Sequence, residues 1–253
     1  MKAWWKLYKK EIYNISFFML VSLLITLSWE LFLFYKIHSW PLGMPFGLSF
    51  LPFSIFPLLV LWLGYNSFRQ EWKDDTIYLT LSLPKAGWQI NLAKLTASMT
   101  FYLAIVILTT LMIYLFQQGF IITILQGSPD PIVISWINST ILKICFVYWI
   151  SGIGIFIISQ FSQLISLFFD RFRGLISIVV FILSNYLLFR LSIFLAPLLK
   201  FLPDIQVDVI KELNGSLNCI PIYLDSGLII AVAIITMGFF FGGSWLLENY
   251  LEV

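Results

Sequence analysis

The feature that most constrains this chain is a series of long apolar runs that are nearly free of charge. About 20 apolar residues in a helix, rising about 1.5 Å per residue, cross the roughly 30 Å hydrocarbon core of a bilayer. The sequence therefore predicts an all-α integral membrane protein with a single membrane domain over residues 1–253 and six transmembrane helices. The predicted spans are 12–35, 48–68, 95–116, 138–166, 174–199 and 227–247.

The composition agrees with solvation by lipid. Hydrophobic residues make up 60% of the chain and charged residues 11%, whereas charged residues are about a quarter of a soluble domain. The fourth apolar region, 132–169, is long for one span. This length predicts a helix with an outer extension, or a break near Gly152 and Gly154.

The distribution of positive charge predicts the orientation of the chain. Most of the 15 Lys and Arg residues lie before the first span, in segment 69–94 and around 171–173. Since Lys and Arg concentrate on the cytoplasmic side of membrane proteins, both termini and segment 69–94 are expected in the cytoplasm, with the chain in the cell membrane. Segment 200–226 is then an outer loop, for which we expect one or two short helices at the interface.

Residues 1–11 separate into two faces when they are placed on a helix. Lys6, Lys9 and Lys10 gather on one side, while Trp4 and Trp5 gather on the other. This pattern predicts an amphipathic helix that lies flat on the inner leaflet before the chain turns into the bilayer. The alternative is a basic flank of the first span.

Several classes of function lack the residues that they require. His38 is the single histidine, and no Gly-rich phosphate loop of the Walker type occurs. We therefore predict no catalytic residue, no metal site and no cofactor on this chain, which is not expected to be an enzyme by itself. Its expected partners include membrane lipid and exclude nucleic acid.

Segment 69–94 is the longest polar connection between predicted cytoplasmic ends of spans. On a helix, Glu71, Asp75 and Tyr78 share one face, with Trp72 beside it. An acidic face edged by aromatic side chains is suited to docking on a protein. The alternative is a solvated interfacial helix whose tryptophans are lipid anchors.

The same segment resembles the corresponding loop of type-2 ABC exporter permeases, in which a Glu precedes a Thr and a Leu-rich helix, then a Pro, with a Lys at the mouth of the third span. The matching residues are Glu71, Thr76, Leu79, Leu81, Pro84 and Lys94. Asp75 and Gly87 depart from the pattern, since the family commonly has Gly and Arg at these positions. The six spans and the longer outer segment before the last one extend the resemblance over the whole chain.

The resemblance implies that segment 69–94 is a coupling loop whose helix contacts a separate ATP-binding cassette ATPase subunit. The coupling residues implied are Glu71, Trp72, Asp75, Thr76, Tyr78, Leu79 and Pro84. ATP and Mg²⁺ would be bound by that subunit, and a second permease subunit, identical or different, would complete the transporter. The implied substrate is amphipathic or apolar, such as an antimicrobial peptide, a lipid or a drug, and a polysaccharide is an alternative.

Two other classes of function remain as alternatives. An intramembrane enzyme normally presents paired Glu, His or Asp residues on its spans, and none occurs here at helical spacing. An ion-coupled secondary transporter is expected to have inverted repeats and acidic residues at mid-membrane, and Glu30 is the only acid well inside a predicted span. Co-purification with an ATPase would decide among the three classes.

Polar and helix-bending residues within the spans are candidates for a pathway or a gate. They are Glu30, Pro52, Pro57, Lys143, Ser184, Asn185 and Arg190. Unpaired charges in a span are costly, so we expect Glu30 to pair with Arg190, with Lys143 or with both, near the outer mouth. The alternative is that the two cations reach the outer headgroups and that the other polar groups only hold helices together.

Overall fold

The computed structural model describes residues 2–36, 39–41, 43–73, 86–124, 131–169, 171–213 and 216–249. The helices in these ranges are α1 (Lys2–Lys36), α2 (Gly43–Leu48), α3 (Leu51–Lys73), α4 (Gly87–Ile124), α5 (Pro131–Ser166), α6 (Arg173–Leu195) and α7 (Ser226–Asn249). A 3-10 turn, Ala196–Leu199, follows α6, and the strands β1 (Ile205–Leu213) and β2 (Ser216–Leu224) precede α7.

Six of these helices, all except the short α2, contain segments long and apolar enough to cross a membrane. The predicted helical membrane fold with six spans is therefore confirmed, and the chain is a multi-pass membrane protein. Helix α4 is longer than its predicted span at both ends, because it begins at Gly87 rather than near residue 95 and ends at Ile124 rather than near residue 116. Its first two turns contain the polar residues Gln89, Asn91 and Lys94 among apolar ones, and they pack against other helices of the bundle.

The two ends of the helix bundle are distinguished by what they contain. Phe68, Ile90, Leu164 and Leu247 form one buried cluster, so the ends of α3, α5 and α7 lie beside the beginning of α4. We call this the terminal end, because α1 also begins there and α7 ends there. The opposite end, where β1 and β2 connect α6 to α7, is called the hairpin end.

Helix α5 is at the centre of the bundle and contacts α3, α4, α6 and α7. Its contact with α3 is close at Gly64, where an added Cβ would come within 2.8 Å of the Phe156 carbonyl oxygen. Nearby, the Ser159 hydroxyl donates a hydrogen bond to the Leu61 carbonyl at 2.7 Å. Small residues that let helix backbones approach are the usual basis of packing between transmembrane helices.

The N-terminal segment is not a separate interfacial helix. Helix α1 is continuous over 35 residues, from Lys2 to Lys36, so the expected turn between residues 11 and 12 is wrong. The segment contains no Gly or Pro that would interrupt the backbone ladder. In addition, Lys10 and Glu11 bind side chains of α3 and α4, which holds the first turns of α1 on the bundle.

Of the two expectations for the long fourth region, the break near Gly152 and Gly154 is wrong, because α5 is continuous from Pro131 to Ser166, whereas an extension beyond the predicted start at residue 138 is present. Gly152 lies directly against the Tyr102 ring of α4, and an added Cβ would overlap that ring. Gly154 has no atom within 4 Å of the place of an added Cβ. Gly152 therefore permits a close contact between two helices and does not interrupt one.

The outer segment differs from the expected short helices. Strands β1 and β2 form an antiparallel hairpin in which Ile205 is opposite Leu224 and Val209 is opposite Ile220. The alternating β-branched residues of β1 favour a strand. The Asn-Gly dipeptide between the strands is the sequence signal most typical of a two-residue hairpin loop, and it outweighs the helical interpretation.

Candidate functional site

Four charged side chains meet at the terminal end and form what we call the ion network: Lys10, Glu11, Glu71 and Lys94. The Lys94 ammonium is 3.1 Å from Glu11 Oε1 and 3.2 Å from Glu71 Oε1. Glu71 Oε1 is in turn 2.8 Å from the Lys10 ammonium. The network therefore joins α1, α3 and α4 through their side chains.

Lys94 is at the centre of the ion network and is only 2% exposed. Besides the two carboxylates, its ammonium donates a hydrogen bond to the Ser67 carbonyl at 2.8 Å. An ammonium has three donors, so all three have an acceptor. The charge also lies 4.9 Å from the centre of the Phe68 ring, a favourable cation–π arrangement.

The charges of the ion network balance, with two cations and two carboxylates. Burying an ion is costly, and the cost is offset only if the ion is paired and hydrogen-bonded. Glu71 is 4% exposed and Glu11 is 8% exposed; Lys94 pairs with both carboxylates, and Lys10 is a second partner of Glu71. The arrangement fixes the relative positions of three helices, because separating any of them would leave a buried charge unpaired.

The ion network flanks both sides of the connection between α3 and α4. Glu71 lies in the last turn of α3 and Lys94 lies two turns into α4. Residues 74–85 of this connection are outside the described ranges. The two helices that enter and leave the connection are thus fastened to each other and to α1.

A second set of polar contacts fastens the start of α4 to the end of α7. The Gly87 backbone N–H donates to Glu248 Oε1 at 2.5 Å, which places a carboxylate at the positive end of the α4 dipole. The Asn91 amide donates to the Ser244 hydroxyl at 3.2 Å. An added Cβ at Gly87 would be 2.7 Å from the Ser244 carbonyl, so glycine is needed for this approach.

The predicted coupling residues are only partly within the described ranges. Glu71 is buried in the ion network, so its predicted place on an exposed docking face is wrong. Trp72 packs against the cluster at the terminal end, with the Arg173 guanidinium 5.4 Å from the centre of its ring. The other predicted coupling residues, Asp75, Thr76, Tyr78, Leu79 and Pro84, lie outside the described residues.

The two prolines of α3 have different roles. Pro52 is in the first turn of the helix, where its missing N–H breaks no helical hydrogen bond. Pro57 is inside the helix and leaves the Phe53 carbonyl without its helical donor. The Tyr148 hydroxyl of α5 donates to that carbonyl. The bundle therefore satisfies the carbonyl that Pro57 frees.

The predicted ion pair of Glu30 is wrong. No ion pair of Glu30 occurs among the described residues, and neither of its carboxylate oxygens has a hydrogen-bond partner there. Lys143 and Arg190 are exposed on the outside of the bundle, whereas Glu30 is 0% exposed. Glu30 points into the bundle and the two cations point away from it, so the direction of each side chain around its helix axis separates them.

The polar residues of α6 divide between two faces. Ser184 is buried on the face that packs into the bundle, together with Ser177 and Ser192. The exposed Asn185 amide donates to the Phe181 carbonyl of its own helix. Arg190 Nε donates to the Tyr186 hydroxyl at 3.0 Å. Ser184 therefore contributes to helix packing, while Asn185 and Arg190 face away from the bundle.

An apolar groove of about 660 Å³ lies between α4 and α5, in the half of the bundle nearer the hairpin end. Its lining includes Leu103, Ile107, Leu142, Phe146 and Trp149. The Thr110 hydroxyl and the Cys145 thiol, also in the lining, are 2.9 Å apart and connect the two helices. A lining of this composition accommodates an apolar chain or ring.

Sequence reasoning missed Lys10 and Glu11 as members of a site. They were interpreted as part of a surface helix, although Glu11 is an acid at the boundary of the first apolar run, at the same level as Lys94 at the boundary of the third. In the described parts of the chain, no group of three His, Cys, Asp or Glu side chains is placed to hold a metal ion.

These features define a helical, multi-pass membrane protein with a buried ion network at one end and an apolar groove toward the other. Comparisons with protein families, with curated proteins and with solved structures gave no match.

Proposed function

We propose that this chain is the membrane-spanning permease subunit of an ATP-driven exporter. In this proposal a separate ATPase subunit binds ATP and Mg²⁺ and docks on the connection between α3 and α4. The observation that supports it best is the ion network, which fastens both ends of that connection to each other and to α1. Such attachment between α1, α3 and α4 is required if movement of the connection is to move the three helices together.

The route of coupling follows from the positions of Glu71 and Lys94. A displacement of residues 74–85 pulls on the end of α3 and on the start of α4. Because Lys94 has three acceptors on α1 and α3, these helices move as one unit unless buried charges are separated. Coupling therefore uses Glu71 as a positioning residue inside the bundle, while the contact with the ATPase belongs to residues beyond Lys73.

The proposed substrate is apolar or amphipathic, such as an antimicrobial peptide, a lipid or a drug. The apolar groove between α4 and α5 supports this class, because it opens on the side of the bundle and its lining is almost without polar groups. A polysaccharide would require a pathway rich in hydrogen-bonding side chains, which this groove does not offer.

A second permease subunit is part of the proposal. Helix α6 has large exposed apolar side chains, including Ile178, Ile182 and Phe189, and the exposed polar residues Asn185 and Arg190 on the same span. Polar side chains that face lipid are unfavourable and normally face protein or water. This face of α6 is the proposed contact with the second subunit, and lipid covers the remaining apolar surface.

An ion-coupled secondary transporter is the second candidate, and Glu30 is the observation that favours it. A buried carboxyl group without a partner in a span is the usual element of a proton or cation relay. The two candidates differ in their energy source. Transport of an apolar dye from vesicles should stop with vanadate if an ATPase drives it, and with a protonophore if an ion gradient does.

The direct test is a crosslink to the ATPase. Cys145 and Cys219 are first replaced by serine, and a single cysteine is then placed at Tyr78. The tagged chain is purified from its own host, and a crosslink to a subunit that carries a Walker-type phosphate loop is expected at Tyr78. The matched control is a cysteine at Met44, which is exposed at the hairpin end and should give no such crosslink. Equal crosslinking at both positions, or none at Tyr78, contradicts the proposal.

A further inference from the structure

Helix α1 presents toward α4 a buried stripe that contains a carboxyl group. The stripe consists of Ser22, Thr26, Glu30 and Leu33, all of which are buried. Their spacing of three or four residues places them on one face of the helix. Glu30 is completely enclosed, and neither of its oxygens has a hydrogen-bond partner within the described residues.

The neighbours of Glu30 on α4 follow from the register of the two helices. Glu11 contacts Lys94, and Phe18 contacts the Phe101 ring with the ring centres 6.1 Å apart. Both pairs have the same offset in the chain, so α1 and α4 run parallel. The same offset places Thr26 beside Thr109 and Glu30 beside Ile113, and both of these α4 residues are buried.

The hydroxyl groups between α1 and α4 do not donate hydrogen bonds to the Glu30 carboxyl group. The Thr26 hydroxyl donates to the Ser22 carbonyl at 2.8 Å. The Thr109 hydroxyl lies 3.1 Å from the Ile105 carbonyl and donates to its own helix in the same way. Each hydroxyl has a single proton to donate. Among the described side chains, those that this register places nearest to Glu30 on α1 and α4 are apolar or carry hydroxyl groups whose protons are already donated to carbonyl oxygens.

No described cation compensates Glu30. On α1 the closest in sequence is Lys36, whose ammonium lies 5.8 Å and 6.0 Å from the ring centres of Tyr35 and Trp40. Helix α2 has no titratable residue, the half of α3 nearest the hairpin end has none, and the corresponding half of α4 has only the half-exposed Tyr114. His38 is outside the described residues, and Lys143 and Arg190 face outward.

We propose that Glu30 is a proton-binding site, held as a neutral carboxylic acid while α1 and α4 are packed together. When the two helices separate and water enters, the O–H bond breaks, the electron pair stays on the carboxylate and the proton passes to water. Repacking of the helices requires the proton to return, because a carboxylate without a counter-ion is strongly disfavoured in such surroundings. The inference rests on the geometry of α1 and holds whichever energy source drives transport.

Infrared difference spectroscopy of the whole chain in lipid vesicles at neutral pH tests this proposal. Subtracting the spectrum of Glu30→Gln from that of the wild type should leave the C=O band of a protonated carboxylic acid. Glu71→Gln is the matched control, because its carboxylate is paired with Lys94 and Lys10, and its difference spectrum should contain carboxylate bands instead. A difference spectrum of Glu30→Gln with only carboxylate bands overturns the proposal.

A second measurement keeps the proposal testable if Glu30→Gln does not fold. Glutamate labelled with ¹³C at the carboxyl carbon shifts the acid band of the wild type, whereas Glu30→Asp retains a carboxyl group that the label does not reach. Loss of the shifted acid band in labelled Glu30→Asp supports the assignment, and its persistence overturns it. After transfer of the wild type to D₂O, the acid band should shift more slowly than surface groups exchange their hydrogens. An immediate shift overturns the claim that the proton is released only when the helices separate.

Discussion

Lys94 and Glu11 are 83 positions apart in the chain, yet the Lys94 ammonium is 3.1 Å from the Glu11 carboxylate and both residues are buried. The contact is the point at which the start of α1 meets the start of α4. It also brings Glu71 of α3 to the same ammonium. Lys94 thereby holds the start of α1 beside the α3–α4 connection, where we propose that the ATPase docks.

Replacing Lys94 with methionine should destabilise the protein strongly. The change keeps most of the side-chain volume but leaves Glu11 and Glu71 buried without their common partner, and breaking a buried ion pair in this way costs about 3–5 kcal/mol. Unfolding in detergent, followed by circular dichroism or by thiol exposure, measures the effect. Lys9→Met is the control, because Lys9 is exposed and its loss should change stability by less than about 0.5 kcal/mol.

A further substitution separates charge from packing at the same site. Adding Glu11→Gln to Lys94→Met removes the carboxylate whose ion pair was lost, whereas Glu71 still has Lys10, so part of the lost stability should return. No recovery in the double variant would mean that the loss arises from packing alone.

Tyr148 and Pro57 should be coupled energetically. Tyr148→Phe leaves the Phe53 carbonyl without a donor and should cost about 1–3 kcal/mol. In a Pro57→Ala background residue 57 regains its N–H and can bond that carbonyl within the helix, so Tyr148→Phe should cost at least about 1 kcal/mol less. A double-mutant cycle of unfolding free energies measures the coupling, and equal costs in both backgrounds would contradict it.

Gly64→Ala should loosen the contact between α3 and α5. The added methyl group would be 2.8 Å from the Phe156 carbonyl oxygen, and overpacking of this kind costs about 1–3 kcal/mol. Gly154→Ala in α5 is the matched control, because nothing lies within 4 Å of its Cβ position and alanine favours the helix by about 1 kcal/mol. If both variants melt at the same temperature, the close contact at Gly64 does not limit packing.

Glu248 should be required for the start of α4. Glu248→Ala removes the acceptor of the Gly87 N–H, and loss of a helix cap costs about 0.5–2 kcal/mol. Glu248→Gln keeps a side-chain oxygen as acceptor but loses the charge at the helix dipole, so it should retain most of the stability. Thermal unfolding of the two variants measures this difference, and an equal loss in both would assign the effect to charge alone.

The orientation of the chain can be determined by thiol labelling. In a variant whose natural cysteines are replaced by serine, a cysteine at Lys9 should react with a membrane-impermeant reagent only from the cytoplasmic side. A cysteine at Met44, near the opposite end of the bundle, should react only from outside, because the basic residues gather near the terminal end. The reverse pattern would invert the proposed topology.

The sequence was sufficient for the spans because each is defined by its own residues. A helix of about 20 apolar residues is long enough to cross the bilayer whatever its neighbours are. The six helices were therefore predictable from hydropathy. Close contacts such as Gly64 with Phe156, or Tyr148 with the Phe53 carbonyl, were not predictable. They depend on the register and rotation of helices that are distant in sequence.

The same reason explains the errors at the candidate site. Glu71 and Asp75 share a face of an isolated helix, but only the packed bundle shows that Glu71 points toward Lys94. The expected pairing of Glu30 rested on the cost of unpaired charges in a span, whereas contact between side chains depends on the angle of each around its helix axis. The hairpin error was different, because Asn214-Gly215 was visible in the sequence and was read only as part of a polar outer segment.

The uninterrupted course of α1 has a mechanical consequence. At about 1.5 Å per residue, Glu11 and Glu30 are separated by about 28 Å along one rigid rod. If α1 tilts about its contact with Lys94, the Glu30 carboxyl group moves by a distance that increases with the tilt angle. Helix α1 is thus a lever that runs from the ion network at the terminal end to the enclosed Glu30.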